Sequence, residues 1–520
     1  METKVCQNCK GEFIIEKDDF GFYEKIGVPP PTFCPECRRQ RRMAWRNDFT
    51  FYNRKCDMCG RNIISLYHKD KPLTVYCNKC WWSDKWDPKG YAKDFDFSRP
   101  FFEQFNELQR TVPILALMND NNIGSINCEY TQNEAYAKNS YMVSMAWKNE
   151  NCMYSYGISG PNAVDIVDSM DIFSSERIYE SVFLNQCYDC KLCYYSMNLI
   201  SSYFCYDCRN CHDCFMCVGL RNQEYMFLNK QYSKEEYKKI LEKYKLYSYS
   251  GQEKAKKDFS KFKSEKQITN DFMINCVNCS GNSLMNSNNA KYCYTARRLH
   301  NVKYFENGND IKDGYDMLVG GENEMCYEGI TPDNDRLALF TIFSYKCSDI
   351  SYCEYCFGSQ DLFGCLGLRQ SQYCIFNKQY TKKEYFELKE KIKEHMKKTK
   401  EYGEFFPAKY SHFGYNETIA QDNYPLSKKE VLTQNLNYFD DIQITKGRET
   451  VDNFDLPDSI DDVDESILNK ILACDKTKRN FFITKQELDF YKKLRIPIPR
   501  KCFFQRHKER LENRCPRYFK

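Results

Sequence analysis

The sequence predicts a mainly β chain with interspersed helices. Two cysteine ribbons open it, central parallel β-solenoid-like repeats interrupted by basic helices follow, and a degenerate ribbon closes it. Three observations predict this class. Four CxxC pairs lie between Cys6 and Cys80. Short repeats rich in Cys, Tyr, Asn and Asp fill the middle of the chain. The first 47 residues return in the last 47, with the same internal spacing and half of the cysteines replaced.

Residues 1–47 form the first ribbon. Cys6/Cys9 and Cys34/Cys37 enclose the segment Lys10–Phe33, and in residues 48–98 Cys56/Cys59 and Cys77/Cys80 enclose the shorter segment Gly60–Tyr76. A CxxC turn sets two thiolates on one side of a tight knuckle, and two knuckles complete a closed tetrahedral shell of the structural zinc type. The predicted metal ligands are therefore Cys6, Cys9, Cys34, Cys37, Cys56, Cys59, Cys77 and Cys80, for two zinc ions. In the second ribbon, Asn62–Tyr67 and Leu73–Tyr76 read as two strands joined by the turn Lys69–Pro72. Its tail holds Trp81, Trp82 and Trp86, an aromatic seam that either docks the ribbons onto the next domain or stacks a ligand. Residues 99–126 are a connector with a short helix over Phe101–Leu108.

Residues 127–232 and 271–380 are two solenoid blocks. In the first, Cys187, Cys190 and Cys193, then Cys205, Cys208, Cys211, Cys214 and Cys217, advance in steps of three. In the second, Cys293, Tyr304, Tyr315 and Cys326 are 11 apart, a step that reads as half of a coil. Such blocks stack short strands around a ladder of inward Cys, Tyr and Phe. The threefold step also resembles iron–sulfur spacing, but it continues without a closing fourth cysteine before proline. Stacked buried thiols are the simpler reading. Cys217-Val-Gly-Leu-Arg through Asn229-Lys-Gln-Tyr232 aligns at an offset of 148 with Cys365-Leu-Gly-Leu-Arg through Asn377-Lys-Gln-Tyr380. A capping box follows each copy, Ser233…Glu236 and Thr381…Glu384, and starts a lysine-rich helix. These helices lie in residues 233–270 and 381–432. An acidic linker, 433–472, precedes the late ribbon.

That late ribbon, 473–520, carries Cys474 and Cys502 with the same separation as Cys6 and Cys34. Phe490-Tyr491 and Pro497-Ile498-Pro499 repeat Phe22-Tyr23 and Pro29-Pro30-Pro31. Thr477 and Gln505 stand where Cys9 and Cys37 stand in the first copy. A ribbon backbone without metal is expected.

Hydrophobic residues make up 42% and charged residues 28% of the 520, which describes a globular chain. The apolar stretches are far shorter than a membrane span. Met1-Glu2-Thr3-Lys4 runs directly into the first CxxC, so no cleaved leader is expected. Thirty cysteines then read as metal ligands and buried thiols of a reducing cytoplasm. The net charge of +4 excludes a generic polyanion binder. Arg38, Arg39, Arg41, Arg42 and Arg46 nonetheless crowd behind Cys37.

Several runs carry a resemblance: Cys34-Pro-Glu-Cys37-Arg-Arg-Gln-Arg-Arg42 after Phe22-Tyr23, Trp81 to Pro88, Asp94 to Phe102, Phe413-Gly-Tyr-Asn-Glu-Thr418, and the two Asn-Lys-Gln-Tyr blocks. The whole arrangement resembles a family of uncharacterised cysteine-rich zinc-ribbon proteins of candidate phyla radiation bacteria. The resemblance implies zinc and a bacterial cytoplasm, and it implies no activity.

Three functional readings follow. The first is a non-enzymatic zinc protein that binds a macromolecule, RNA or a ribonucleoprotein. Arg38, Arg39, Arg41, Arg42 and Arg46 would be its nucleic-acid-binding residues, and Trp45, Trp81 and Trp82 its stacking platforms. The competing account of these arginines is a solvated helical face. The second reading is an interaction scaffold that offers a solenoid face to a protein partner. The third is a thiol-dependent enzyme, for example through Cys205 and Cys208. Dispersed histidines and the absence of a recognised catalytic or phosphate-loop motif leave it last, and no catalytic residue is assigned.

Overall fold

The computed structural model describes residues 1–119, 124–269 and 271–519. Residues 120–123 of the connector, residue 270 at the end of the first basic segment and residue 520 lie outside them. The protein is mixed β and α, and its two large sheets are dominated by parallel pairs.

One sheet has twelve strands between Gln132 and Gln231, and the other has nine between Met273 and Gln379. The pairing step in both is mostly twelve residues. Tyr315, Tyr327, Leu339, Ser351, Phe363 and Ile375 form one column of register partners. Val182, Tyr194, Tyr206 and Val218 form another. This corrects the eleven-residue step. An 11-residue step joins Met273 to Leu284 at the entry of the second sheet, but Cys293, Tyr304 and Tyr315 each fall one residue short of a shared column.

The threefold cysteine step has a backbone cause. From Gln186 to Met216 every third residue has a φ near +50°, including Asp189, Leu192, Asn198, Asp207, Asn210 and Asp213. The residue after each is turned inward. Cys187, Cys190, Cys193, Cys205, Cys208, Cys211, Cys214 and Cys217 occupy such positions and are all buried. Left-handed backbone costs an L-residue about 1–2 kcal/mol, less for Asn and Asp. Bonds between neighbouring levels offset it. Leu192 donates its N–H to the Tyr179 carbonyl at 2.9 Å, and Ser201 to that of Tyr188 at 3.0 Å. Asn198 donates its side-chain amide to Asn210 at 2.8 Å, and Asn210 to Asn222 at 3.1 Å. Inward serines accept the N–H of the next level, as Ser181 does from Cys193 at 3.1 Å and Ser202 from Cys214 at 3.2 Å.

The buried columns mix small residues, Cys and Ala, with Ile, Leu and Met. Where larger side chains enter, glycine makes room: a Cβ on Gly314 would lie 2.5 Å from the Met317 Cε and 2.9 Å from the Ile311 Cγ2.

The two Asn-Lys-Gln-Tyr motifs close the sheets. Asn229 accepts the Val218 N–H at 2.9 Å and donates to the Val218 carbonyl at 2.8 Å, so a side-chain amide completes the last level. Asn377 does the same to Leu366 at 2.9 and 2.8 Å. A short antiparallel turn follows each, then the capped helices Lys234–Tyr244 and Lys382–Lys398. Tyr237 and Tyr385, at equivalent places in the two repeats, anchor these helices in buried positions.

In the second ribbon, Asn62–Ser65 pairs antiparallel with Tyr52–Lys55. Val75–Tyr76 pairs parallel with Ile114–Leu115 beyond the helix Phe101–Thr111, rather than with the strand predicted as its hairpin partner. Trp81 is fully buried, with its ring edge-on to Phe357 at 5.6 Å and its indole N–H donated to the Pro113 carbonyl.

The chain divides into two compact units that interleave along the sequence. The first comprises Met1–Asn121, Met273–Asp440 and Pro516–Lys520; the second comprises Asn122–Phe272 and Asp441–Cys515. Each therefore contains one end ribbon and one strand block, in opposite chain order.

Candidate metal centres and the arginine clasp

The first knuckle is made by backbone bonds around Cys6. Its N–H is donated to the Gly11 carbonyl at 2.9 Å, and its carbonyl accepts from Lys10 at 3.1 Å, with Lys10 left-handed at φ 63°. Cys34 caps the helix Pro35–Met43 and donates its N–H to the Cys6 Sγ at 3.2 Å. The second centre repeats the design: Cys56 bonds Arg61 and Gly60, and the Cys77 N–H reaches the Cys56 Sγ at 3.3 Å.

In each centre the four Sγ atoms lie within 4.8 Å of one another. A tetrahedral ion with Zn–S bonds of about 2.3 Å requires sulfurs about 3.8 Å apart. Cys9 and Cys34 are 3.8 Å apart, and Cys59 and Cys77 are 4.0 Å apart. The two groups can therefore hold metal ions, and the all-thiolate donor set and its spacing fit zinc. Donors surround the sulfurs, as expected around thiolates: the Asn8 amide lies 3.4 Å from the Cys37 Sγ, and the Arg61 Nε 3.4 Å from the Cys59 Sγ. Among the described residues, no other set of three or more Cys, His, Asp or Glu converges in this way, the inward cysteine ladders included.

The late ribbon reproduces the first at an offset of 468. Cys474 donates to Arg479 and accepts from Lys478, Asp475 donates to the Arg500 carbonyl as Gln7 does to that of Thr32, and Lys478 is left-handed as Lys10 is. The helices Lys17–Ile26 and Lys485–Leu494 correspond residue for residue. Thr477 and Gln505 occupy the two ligand positions that lost cysteine. The Thr477 hydroxyl lies 3.8 Å from the Cys502 Sγ, while the Gln505 amide is turned to Glu509 at 3.0 Å.

The arginines behind Cys37 are not a solvated basic face. Arg38, Arg39, Arg41, Arg42 and Arg46 are each at most 9% exposed. Arg38 and Arg42 pair with Asp316 at 2.8 and 3.2 Å, and Arg41 and Arg42 with Glu328 at 2.8 Å each. Arg39 pairs with Glu306 at 2.7 Å, and Arg46 with Asp48 at 3.0 Å. Burial by itself would push the Glu306 carboxyl up, but the Arg39 and Arg517 guanidiniums overcome it and hold it at about 2. Trp45 and Trp81 are buried too and offer no open ring face, while Trp82 is half-buried with its ring edge-on to Phe357.

The same clasp occurs in the second unit. Arg506 and Arg510, the counterparts of Arg38 and Arg42, both pair with Asp168 at 2.9 Å. Asp168 and Asp316 stand at the same offset as the two Asn-Lys-Gln-Tyr motifs, so the ribbon repeat and the strand-block repeat meet at equivalent atoms. Arg38 also donates to the Phe33 carbonyl, and Arg506 to that of Lys501. Tyr23 packs on Tyr327, and Tyr491 on Tyr179. The sequence carries both offsets but does not connect them. Aligning the two would pair Arg38 with Asp316 and Arg506 with Asp168 only if contact between the modules were already assumed.

No family model and no curated protein matches the chain. Among solved structures, a protein described as a putative acetyltransferase from Desulfovibrio desulfuricans G20 aligns over 47% of this chain at 9% identity. The aligned part spans 66% of that protein, less than two thirds of it, and the TM-score is 0.10. At that score the likeness carries no argument. No helix among the described residues is long and apolar enough to cross a membrane.

Proposed function

We propose that the protein is a non-enzymatic, zinc-stabilised interaction scaffold. Its two strand blocks are read as parallel β-solenoids. A twelve-residue pairing step with one left-handed residue in three would give each turn four short sides. In the first unit, zinc would fix the ribbon whose arginine helix holds the block. The outer side-chain columns of a block would then be the surface offered to a protein partner of the cytoplasm.

The observation that carries this reading over RNA binding is the burial of Arg38, Arg39, Arg41, Arg42 and Arg46 in ion pairs with carboxylates. Phosphate binding needs guanidiniums that face solvent and exchange counterions. Those of this ribbon already have anionic partners. A thiol-dependent reaction is disfavoured by the burial of Cys205 and Cys208, which pushes the Cys205 thiol well above its ordinary range.

The test is to isolate the full chain from its native cytoplasm with bound partners and treat the complex with nuclease. Protein partners that survive nuclease support the scaffold. Bound RNA whose affinity falls steeply between about 50 and 200 mM salt would restore the first reading.

A further inference from the structure

The late ribbon has lost two of four cysteines, and the two that remain are not a random pair. Cys474 lies on one knuckle and Cys502 on the other, at the positions of Cys6 and Cys34. The knuckle bonds match the first copy residue for residue, and in that copy the corresponding sulfurs lie within 4.8 Å. The Thr477 hydroxyl stands 3.8 Å from the Cys502 Sγ, as the Cys9 sulfur does from that of Cys34, so the two knuckles of the late ribbon face each other at the same distance. With the Gln505 amide turned to Glu509 and Thr477 supplying only a hydroxyl, the pair lacks the donors for a tetrahedral ion. One sulfur on each knuckle is, however, what a single covalent cross-link needs.

We propose that Cys474 and Cys502 form a reversible disulfide, which does in the second unit what the metal would do in the first: it ties knuckle to knuckle across the intervening loop. The oxidant is a small-molecule disulfide. One cysteine thiolate attacks its sulfur and releases one small thiol. The other cysteine then attacks the mixed disulfide and releases the second. Two electrons and two protons pass to the small molecule, and one S–S bond forms in the protein for the one broken. Thr477, at the knuckle tip, is exposed, so the pair lies one residue below solvent. Outside the metal centres, the other buried thiols stand in the strand blocks, under hydrogen-bonded backbone.

The test uses the zinc-loaded full chain, equilibrated with glutathione buffers of increasing oxidised fraction, then alkylated, digested and analysed by mass spectrometry. The expected result is a linked Cys474–Cys502 peptide that reverts on reduction, with a thermal midpoint for the second unit several degrees higher in the oxidised form. Cys474→Ala and Cys502→Ala should each abolish that rise. Detection of the link in the unaltered chain does not depend on either variant folding. Both cysteines remaining alkylatable as thiols in fully oxidised glutathione would overturn the proposal. So would a third metal ion per chain that is lost in Cys474→Ala.

Discussion

Asp335 occupies an inward position of the second strand block, where a neutral acceptor would serve. Its Oδ1 accepts the Cys347 N–H at 2.7 Å, continuing the column in which Asn323 accepts the Asp335 N–H at 2.9 Å. It is 2% exposed, and burial pushes its carboxyl up to about 7. A folded pKa above the unfolded one means that stability is full below about pH 4 and is lost as pH rises through about 7. At about 1.4 kcal/mol per pKa unit, the loss is about 4 kcal/mol. Asp335→Asn keeps the acceptor and removes the charge. Its unfolding free energy should match the parent at pH 4 and exceed it by up to a few kcal/mol at pH 8. Denaturant titrations at the two pH values check this, and an equal effect at both would refute it. Glu306 behaves in the opposite sense. Arg39 and Arg517 depress it to about 2, so its contribution of about 3 kcal/mol is present above pH 4.5 and disappears as pH falls toward 2. Glu306→Gln should therefore destabilise the chain at pH 7 and change it little near pH 2.

The arginine helix is the element that joins ribbon to strand block. Buried ion pairs are poor stabilisers compared with apolar packing, but removing one partner leaves a buried charge uncompensated at a cost of about 3–5 kcal/mol. Asp316→Ala should thus destabilise the first unit by that order, through Arg38 and Arg42, and Asp168→Ala the second, through Arg506 and Arg510. Hydrogen exchange should localise each loss to its own ribbon and strand block; a loss spread evenly over both units would contradict the clasp. The two converging groups of four cysteines were legible in the sequence because a knuckle is local: Cys-x-x-Cys with the turn residues that follow it encodes its own geometry. The capping boxes at Ser233 and Thr381 were legible for the same reason, and both close as expected. The fate of the arginines was not. Their carboxylate partners Glu306, Asp316 and Glu328 lie beyond the whole first strand block in the sequence and look like surface acids in a row of Asn and Asp. The twelve-residue step was obscured because side chains that look alike, Cys293, Tyr304 and Tyr315, are offset from the hydrogen-bonding columns by one residue per level.

At the scale of the molecule, the two units carry the same clasp on ribbons that differ in their cysteine sets, four converging sulfurs in the first and two cysteines in the late one. That difference predicts an asymmetric response to chelation. A structural zinc site contributes about 10–16 kcal/mol of apparent binding free energy, which is folding free energy when the site exists only in the folded state. Two ions should be bound per chain, both in residues 1–98 and both in the first unit. Stripping them with a strong chelator at pH 7 should release Cys6, Cys9, Cys34, Cys37, Cys56, Cys59, Cys77 and Cys80 to alkylation and expose residues 1–98 to protease. Without its ribbon, the buried Asp316 and Glu328 lose four guanidinium contacts, so residues 273–440 should become labile next. The second unit has a ribbon held by Phe490, Tyr491, Ile496 and Ile498, all buried, and by Arg506 and Arg510 on Asp168. Residues 127–232 and 473–515 should therefore keep their protection at the same chelator concentration. Cys34→Ser should reproduce the protease pattern at the first ribbon without any chelator, as a check that the effect is loss of the ion at that centre. Simultaneous loss of protection in both units, or metal content well below two per chain in protein that remains folded, would show that zinc does not divide them in this way.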